Sequence, residues 1–98
     1  QMLYGNNPEI AANLFGGKFG ELAEGAWADV IVVDYVPPTP LGPENWSGHL
    51  LFGVSGRSVE TTIINGRVRM LDRKLIDIDE EAIGARSREL AQALWNRI

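Results

Sequence analysis

The pair Asn65-Gly66 constrains the fold of this chain more than any other local feature. It separates two β-rich runs, and Asn-Gly is the preferred central pair of a type I′ hairpin turn. We therefore predict a β-hairpin over residues 59–71, because a two-residue turn also fixes the register of the strands beside it. The predicted cross-strand pairs are Ile64 with Arg67, Ile63 with Val68, Thr62 with Arg69, and Thr61 with Met70.

This hairpin has one apolar face and one mixed face, because side chains alternate along a strand. The face that we expect to pack on a core carries Val59, Thr61, Ile63, Val68 and Met70. The face that we expect to be mostly solvated carries Glu60, Thr62, Ile64, Arg67 and Arg69. A second turn over 72–74 is expected to lead into a short strand at Leu75-Ile76.

Residues 29–52 divide into a strand, a loop and a short apolar segment. The strand is predicted over 29–35, and its continuous apolar centre is typical of a strand covered on both faces. The loop is predicted over 36–48, which holds four of the five prolines, because proline cannot donate to a β-ladder. The apolar segment covers 49–52.

Two helices are predicted at the ends of the chain. The first covers 8–15, with Pro8 in its first turn, Asn6 or Asn7 as its cap and Gly16-Gly17 at its end. The second begins at Asp77, whose spacing to Glu80 is typical of a capping box. Its apolar face carries Ile83, Leu90, Ala91, Leu94, Trp95 and Ile98. The predicted fold class is α+β, in a single domain.

Composition excludes several classes of partner. The 98 residues carry a net charge of −4 with scattered basic residues, which argues against nucleic acid. The longest apolar run, 30–33, is far shorter than the roughly 18 residues that span a bilayer. The absence of cysteine excludes a disulfide framework and thiolate metal sites, and it fits a cytoplasmic location. Because the chain opens on Gln1-Met2-Leu3, we expect it to be a piece of a longer protein.

His49, the only histidine, is expected to be structural, because a catalytic zinc needs about three protein ligands. Asp29 and Asp34 flank the predicted strand and are expected to be turn and edge residues, since five-residue spacing points them to opposite faces. Neither feature predicts acid–base or metal chemistry in this chain.

Three further patterns have structural explanations. Gly16-Gly17-Lys18 lacks the hydroxyl residue of a phosphate-binding loop, so a helix C-cap and connector is favoured. Glu80-Glu81 fits the first turn of a helix. Three serines have no partner histidine arrangement: Ser47, Ser55 and Ser58. We therefore predict no catalytic, cofactor-binding or metal-binding residue within this chain.

The three tryptophans, Trp27, Trp46 and Trp95, supply much apolar surface for so short a chain. They could line a ligand cleft, but core or interface anchors are the commoner use. For Trp46, in the predicted proline-rich loop, we favour a contact with a missing domain or a second subunit.

Residues 19–33 resemble the signature with which metal-dependent amidohydrolases leave their catalytic barrel and enter a β-rich side domain. Two glycine turns precede an Ala-Asp pair that opens an apolar strand. Further segments resemble the same family, in particular its aminohydrolase/chlorohydrolase branch: 7–11, 48–53, 62–68, 72–75 and 79–81. The amino-acid sequence of residues 33–41 is most similar to that of the family members associated with selenium metabolism.

This resemblance implies a parent with a (β/α)₈ barrel and a composite, sandwich-like side domain built from both chain ends. Residues 1–18 would then be the last barrel helix region, 19–76 the β-rich composite domain and 77–98 the C-terminal amphipathic helix. In the family, barrel histidines and an aspartate hold zinc or another divalent metal, which activates water for hydrolysis of a carbon–nitrogen or carbon–chlorine bond. Those ligands precede this segment, so no catalytic role passes to His49.

The implied partners are the missing barrel and, in a homodimer, a second copy of the chain. The implied function is structural support of a cytoplasmic hydrolase, with this segment inactive alone and self-associating through its exposed helix faces. Two alternatives stay open: a free-standing interaction module that binds a peptide or subunit through its tryptophans, and a small-ligand-binding domain. An upstream reading frame with a His-x-His motif favours the enzyme, and a start codon near Met2 favours the module.

Overall fold

Strand order in the sheet follows the order of the chain. The computed structural model describes residues 2–98 and contains one antiparallel sheet of four strands, in the order β1-β2-β3-β4. The strands are β1 (Val30–Val33), β2 (Val59–Ile64), β3 (Arg67–Leu71) and β4 (Lys74–Leu75). The α-helices are α1 (Asn7–Phe15), α2 (Trp46–Phe52) and α3 (Glu80–Trp95), with a π-helical turn at Met2–Asn6 and a 3₁₀ turn at Gly56–Ser58.

The predicted hairpin turn is confirmed, and its register holds for two pairs. Asn65 and Gly66 both have positive φ, 50° and 72°, as a type I′ turn requires. Ile64 pairs with Arg67 and Ile63 pairs with Val68, as predicted. A bulge then shifts the register, so that Thr62 pairs with Met70. The predicted pairs of Thr62 with Arg69 and of Thr61 with Met70 are therefore wrong.

The bulge in β3 lies beside the C-terminal end of β4. Arg69 is the extra residue, and its carbonyl accepts a hydrogen bond from Ile76 N at 2.9 Å. The second turn is confirmed, with Asp72 and Arg73 at positive φ between β3 and β4. The final strand begins one residue earlier than predicted, because Lys74 pairs with Leu71.

β1 is an edge strand that pairs only with β2 in this sheet. Its central side chains, Ile31 and Val32, are 56% and 45% exposed. The expectation that this strand is covered on both faces is wrong for the described part of the chain. The reason is that no layer of residues 2–98 packs over these positions.

The N-terminal helix has its predicted end but not its predicted cap. Gly16 ends α1 with φ 73°, and its N–H donates to Ala12 O. Asn6 precedes α1 but already has helical dihedrals, and its side chain makes no capping hydrogen bond. Because the π-helical turn brings the chain in already coiled, the helix start leaves no free amides for a cap.

Residues 46–52 form a helix, which corrects two expectations. The proline-rich loop ends at Asn45, and Trp46 is the first residue of α2 rather than a loop residue. The apolar segment at 49–52 is the second half of this helix and not an extended piece. The carbonyl of Asn45 accepts from His49 N at 3.1 Å, which starts the helical hydrogen-bond pattern.

The C-terminal helix begins later than predicted. Asp79 is the N-cap residue of α3, and its side chain accepts a hydrogen bond from Ala82 N at 2.9 Å. Asp77, the predicted cap, lies outside the helix at φ 60°. Every residue of α3 except Gly84 is exposed, so its apolar face packs on no other described element.

Residues 2–98 form no apolar core. Thr61 is buried, at 7% exposed, but no apolar side chain of this range is. The chain exposes 8273 Å², whereas a folded monomer of 10.8 kDa is expected to expose roughly 5,500 Å². Its radius of gyration is 18.4 Å, against roughly 13 Å for a compact chain of this length. The expectation that the hairpin packs on a core is therefore wrong within this range.

None of the helices in residues 2–98 combines the length and the apolar character needed to cross a membrane.

Candidate functional site

His49 joins three segments of the chain through its ring nitrogens. Nδ1 lies 2.8 Å from Tyr35 Oη, just beyond β1, and Nε2 lies 3.0 Å from Thr39 Oγ1 in the proline-rich loop. The Tyr35 and His49 rings also meet edge-on, with centroids 5.8 Å apart. We call Tyr35, Thr39 and His49 the imidazole clasp, because they hold the loop between β1 and α2.

The clasp uses both hydrogen-bonding positions of the imidazole. A neutral histidine carries one N–H donor and one acceptor nitrogen, so one hydroxyl donates to the ring and the other accepts from it. A metal ligand must offer a nitrogen lone pair, which here requires breaking one of these contacts. The geometry therefore suits a structural histidine, as the sequence predicts.

Asn45 closes the same loop from its other end. Its Nδ2 donates to Pro40 O at 2.8 Å, and its Oδ1 accepts from Gly42 N at 2.9 Å. These two bonds fasten residues 40–42 of the loop to the start of α2. Together with the clasp they form an open cleft of about 360 Å³ next to α2.

Gly53 makes room for the tyrosine of the clasp. A Cβ added at this position would lie 2.8 Å from Tyr35 Cζ, well inside van der Waals contact. The position after α2 must therefore stay without a side chain for the ring of Tyr35 to reach His49.

A larger apolar groove of about 640 Å³ runs beside the clasp, between the N-terminal segment, β1 and α2. Its lining residues are Leu3, Tyr4, Ile31, Val33, Tyr35, Leu41, Trp46, Leu50 and Val54. Trp46 lines this groove while 41% exposed, so its ring presents a wide apolar surface. The contact proposed for Trp46 from the sequence stays a prediction.

The two aspartates beside β1 have separate structural partners. Asp29 Oδ1 accepts a hydrogen bond from Asn65 N at 2.7 Å, and Asp34 Oδ2 accepts from Arg73 Nη2 at 3.0 Å. These contacts tie the two ends of β1 to the two turns of the sheet. The interpretation of both residues as turn and edge residues agrees with these partners, which do not bring the two carboxylates together.

The remaining patterns occupy structural positions. Gly16-Gly17-Lys18 forms a helix end and connector, in which Lys18 O accepts from Trp27 N at 2.9 Å. Glu80 and Glu81 lie in the first turn of α3. Ser58 Oγ lies 3.4 Å from Ser55 N at the 3₁₀ turn.

The described residues do not fit a divalent metal. Within residues 2–98 no three His, Cys, Asp or Glu side chains come together as a metal-binding group. His49 is engaged with two hydroxyls, and Asp29 and Asp34 each hold a donor of their own. The chain's own residues therefore offer no ligand set for the zinc that the resemblance implies elsewhere.

Sequence reasoning identified His49 but missed Tyr35 and Thr39, which complete the clasp. They lie 14 and 10 residues from His49, and no local periodicity links them. A partial signal was present, because a lone histidine beside apolar residues needs polar partners, and the loop before it holds few hydroxyls.

Three relatives among curated proteins are deaminases. The 5-methylthioadenosine/S-adenosylhomocysteine deaminase of Thermococcus onnurineus is 42% identical over 64 residues, which are 65% of this chain and 15% of that protein. The protein of the same name in Syntrophobacter fumaroxidans is 34% identical over 79 residues, 81% of this chain and 18% of that protein. The 5′-deoxyadenosine deaminase of Methanoregula boonei is 39% identical over 85 residues, 84% of this chain and 19% of that protein.

The chain thus spans less than a fifth of the length of these relatives. No protein-family model and no solved structure matches it. The similarity relates this chain to part of a group of aminohydrolases, enzymes that hydrolyse carbon–nitrogen bonds.

Proposed function

We propose that this chain is the structural side-domain portion of a deaminase of the amidohydrolase type. The observation that carries the proposal is the similarity to adenosine-type deaminases, at 34–42% identity over 65–84% of the chain in three relatives. The substrate class is a 5′-modified adenosine, whose amino group leaves as ammonia when a water oxygen bonds to the ring carbon. The relatives' names favour deamination over the dechlorination that the sequence left open.

The exposed apolar surface favours a structural role for this chain within a larger protein. The chain exposes roughly 2,700 Å² more than a compact monomer of its mass, and covering this excess would bury roughly 5,400 Å² on the two sides together, at the upper end of obligate interfaces. The apolar groove and β1 would then be covered by the barrel and by strands from the other end of the parent. This arrangement is the composite side domain that the resemblance implies.

The catalytic machinery would lie outside this chain. The described residues provide no ligand group for a divalent metal, so the proposal assigns any such metal to barrel residues that precede this segment. The imidazole clasp would keep the loop over 36–45 in place beside the barrel. We further propose a cytoplasmic enzyme, in keeping with the absence of cysteine. The link to selenium metabolism stays a prediction.

The test is an assay of the complete gene product that contains this chain. We expect it to release ammonia from 5′-deoxyadenosine, 5-methylthioadenosine or S-adenosylhomocysteine, and we expect the 98-residue chain alone to release none. A matched variant, His49→Gln in the complete protein, should keep kcat and metal content, because the proposed catalytic site lies in the barrel and not at the clasp. Absence of ammonia release with all three nucleosides would contradict the proposed activity.

The apolar groove with Trp46 also fits a free-standing interaction module. The start of the reading frame in the gene distinguishes the two functions. A reading frame that starts at Met2 supports the module, and one that extends upstream through a His-x-His motif supports the deaminase. A dimeric parent, the second partner implied by the resemblance, would be detected by sedimentation of the same complete protein.

A further inference from the structure

Asn65-Gly66 is a chemically labile pair as well as a turn. The backbone nitrogen of the following residue can attack the asparagine side-chain carbonyl carbon, forming a new C–N bond and expelling ammonia. Water then opens the cyclic imide to aspartate or isoaspartate. Glycine favours this step most, because it has no Cβ to hinder the approach and its backbone is the most flexible.

The fold engages the attacking amide of this reaction and the backbone amide that precedes it. Gly66 N, the attacking nitrogen, donates its hydrogen to Ala28 O at 3.0 Å. Asn65 N donates to Asp29 Oδ1 at 2.7 Å. We call these two hydrogen bonds the turn latch, because they fasten the segment before β1 onto the hairpin turn.

The latch opposes the reaction in two ways. The nitrogen of Gly66 cannot attack while its hydrogen is held by Ala28 O, since attack requires that nitrogen to lose its proton. The turn also holds Asn65 at φ 50° and Gly66 at φ 72°, a left-handed pair fixed by the β2–β3 ladder. The side chain of Asn65 is nevertheless exposed, so water reaches it freely.

We propose that Asn65 is a site of spontaneous deamidation whose rate is controlled by opening of the turn latch. The reaction proceeds when residues 28–29 leave the turn, and it is suppressed while they are bound. This inference uses only the hairpin and β1, so it is independent of the proposed deaminase function.

The product would oppose closure of the latch. Either product adds a carboxylate to the turn whose backbone amide Asp29 already binds, and neighbouring like charges repel. Isoaspartate also lengthens the backbone inside a two-residue turn, which disturbs the register that the turn sets. Deamidation would therefore convert a reversible opening of the turn latch into a permanent one.

The test measures deamidation by the accompanying mass increase in peptides from the aged complete protein that contains this chain. We expect the rate at Asn65 in native buffer to be at least about tenfold below the rate in denaturing urea, since local opening costs about 1.4 kcal/mol for each factor of ten. Asn13, which precedes Leu14, is the internal control and should deamidate slowly in both conditions.

Two variants separate the latch from general unfolding. Asp29→Ala removes the side-chain acceptor and should raise the native rate several-fold, with unchanged circular dichroism. Asp29→Asn keeps an acceptor oxygen at the same position and should restore a rate near that of the wild type. Equal rates for Asn65 in native buffer and in urea would overturn the proposal, and so would a native rate that Asp29→Ala leaves unchanged.

Discussion

Tyr35 Oη and His49 Nδ1 lie 2.8 Å apart, and this contact spans 14 residues of chain. It links the end of β1 to the middle of α2, which no regular backbone hydrogen bonding connects. Since Thr39 binds the other ring nitrogen at 3.0 Å, the His49 side chain holds the first part of the proline-rich loop, and Asn45 closes the rest.

We expect His49→Ala to lower the free energy of unfolding by about 2 kcal/mol, since two hydrogen bonds are lost at about 1 kcal/mol each. Thr39→Val is the matched control, because it removes one of the two contacts, and it should cost about half as much. Urea denaturation followed by circular dichroism measures both. Equal losses from the two variants would show that Tyr35 contributes nothing to the clasp.

A second prediction compares two adjacent glycines that both have positive φ. Gly16 has φ 73° and open space around an added Cβ, whereas a Cβ on Gly17 would lie 3.0 Å from Trp27 Cδ1. Gly16→Ala should therefore cost only the backbone strain of φ 73° and ψ 151°, a region essentially restricted to glycine, which is about 1–3 kcal/mol. Gly17→Ala should cost about 1 kcal/mol more, because it also displaces the indole whose Nε1 donates to Gly16 O.

The readout for this pair is the urea midpoint together with tryptophan emission. A red shift restricted to Gly17→Ala would show that Trp27 leaves its stacked position on Phe19, where the ring centroids are 5.8 Å apart. Identical midpoints for the two variants would contradict the packing argument.

Local turn chemistry explains which parts of the sheet could be predicted. The two φ-positive residues of the hairpin turn are encoded by Asn65-Gly66 itself, so the turn and the two nearest pairs follow directly from the sequence. The bulge at Arg69 does not follow from the local sequence. It depends on the Arg69 carbonyl, which accepts a hydrogen bond from Ile76 N on the far side of the second turn. Register beyond the first pairs is set by contacts that the local pattern does not contain.

The helix over 46–52 was missed for a related reason. Its start depends on Asn45, whose side chain closes the proline-rich loop through Pro40 and Gly42. Its middle is held by His49 through partners that precede it by 10 and 14 residues. A seven-residue helix is marginal by propensity alone, so the tertiary contacts decide the structure here.

The expected core was wrong because a hydrophobic pattern indicates which face is buried but not what buries it. The stripes on β1 and α3 are present as predicted, yet Val32 and Leu94 remain 45% and 49% exposed. The sequence singled out His49 because it is the only histidine, whereas its two hydroxyl partners required the fold. The structural role of His49 stays a prediction.

A third prediction compares the aspartates at the two ends of β1. Asp29→Ala should lower the free energy of unfolding by about 1 kcal/mol, because it removes a charge-assisted acceptor from Asn65 N. Asp34→Ala should cost less, since its ion pair with Arg73 is more than half solvated and such pairs contribute about 0–1 kcal/mol. Urea denaturation at low and high salt measures both, and salt should reduce only the effect at Asp34. The reverse order of the two losses would contradict this.

A fourth prediction concerns the second turn, where two residues other than glycine have left-handed dihedrals. Asp72 has φ 48°, a conformation that costs an ordinary residue about 1 kcal/mol. Asp72→Gly should therefore raise the thermal midpoint, while Asp72→Val should lower it, because a β-branched residue tolerates this region least. A lower midpoint for the glycine variant would show that the Asp72 side chain itself stabilises the turn.

The last prediction concerns the unpaired apolar face of α3. Trp95 and Ile83 are 68% and 60% exposed, and the helix packs on no other described element. We expect the isolated 98-residue chain to self-associate in sedimentation velocity at micromolar concentration, and we expect sulfate to strengthen the association because it strengthens apolar burial. Trp95→Glu places a charge in the stripe and should shift the chain toward monomer, whereas Ala85→Glu, on the side of the helix away from the stripe, should not. If Trp46→Glu dissociates the assembly and Trp95→Glu does not, the groove beside α2 is the associating surface instead. A chain that stays monomeric under all of these conditions would contradict the inference that its exposed apolar faces require a partner.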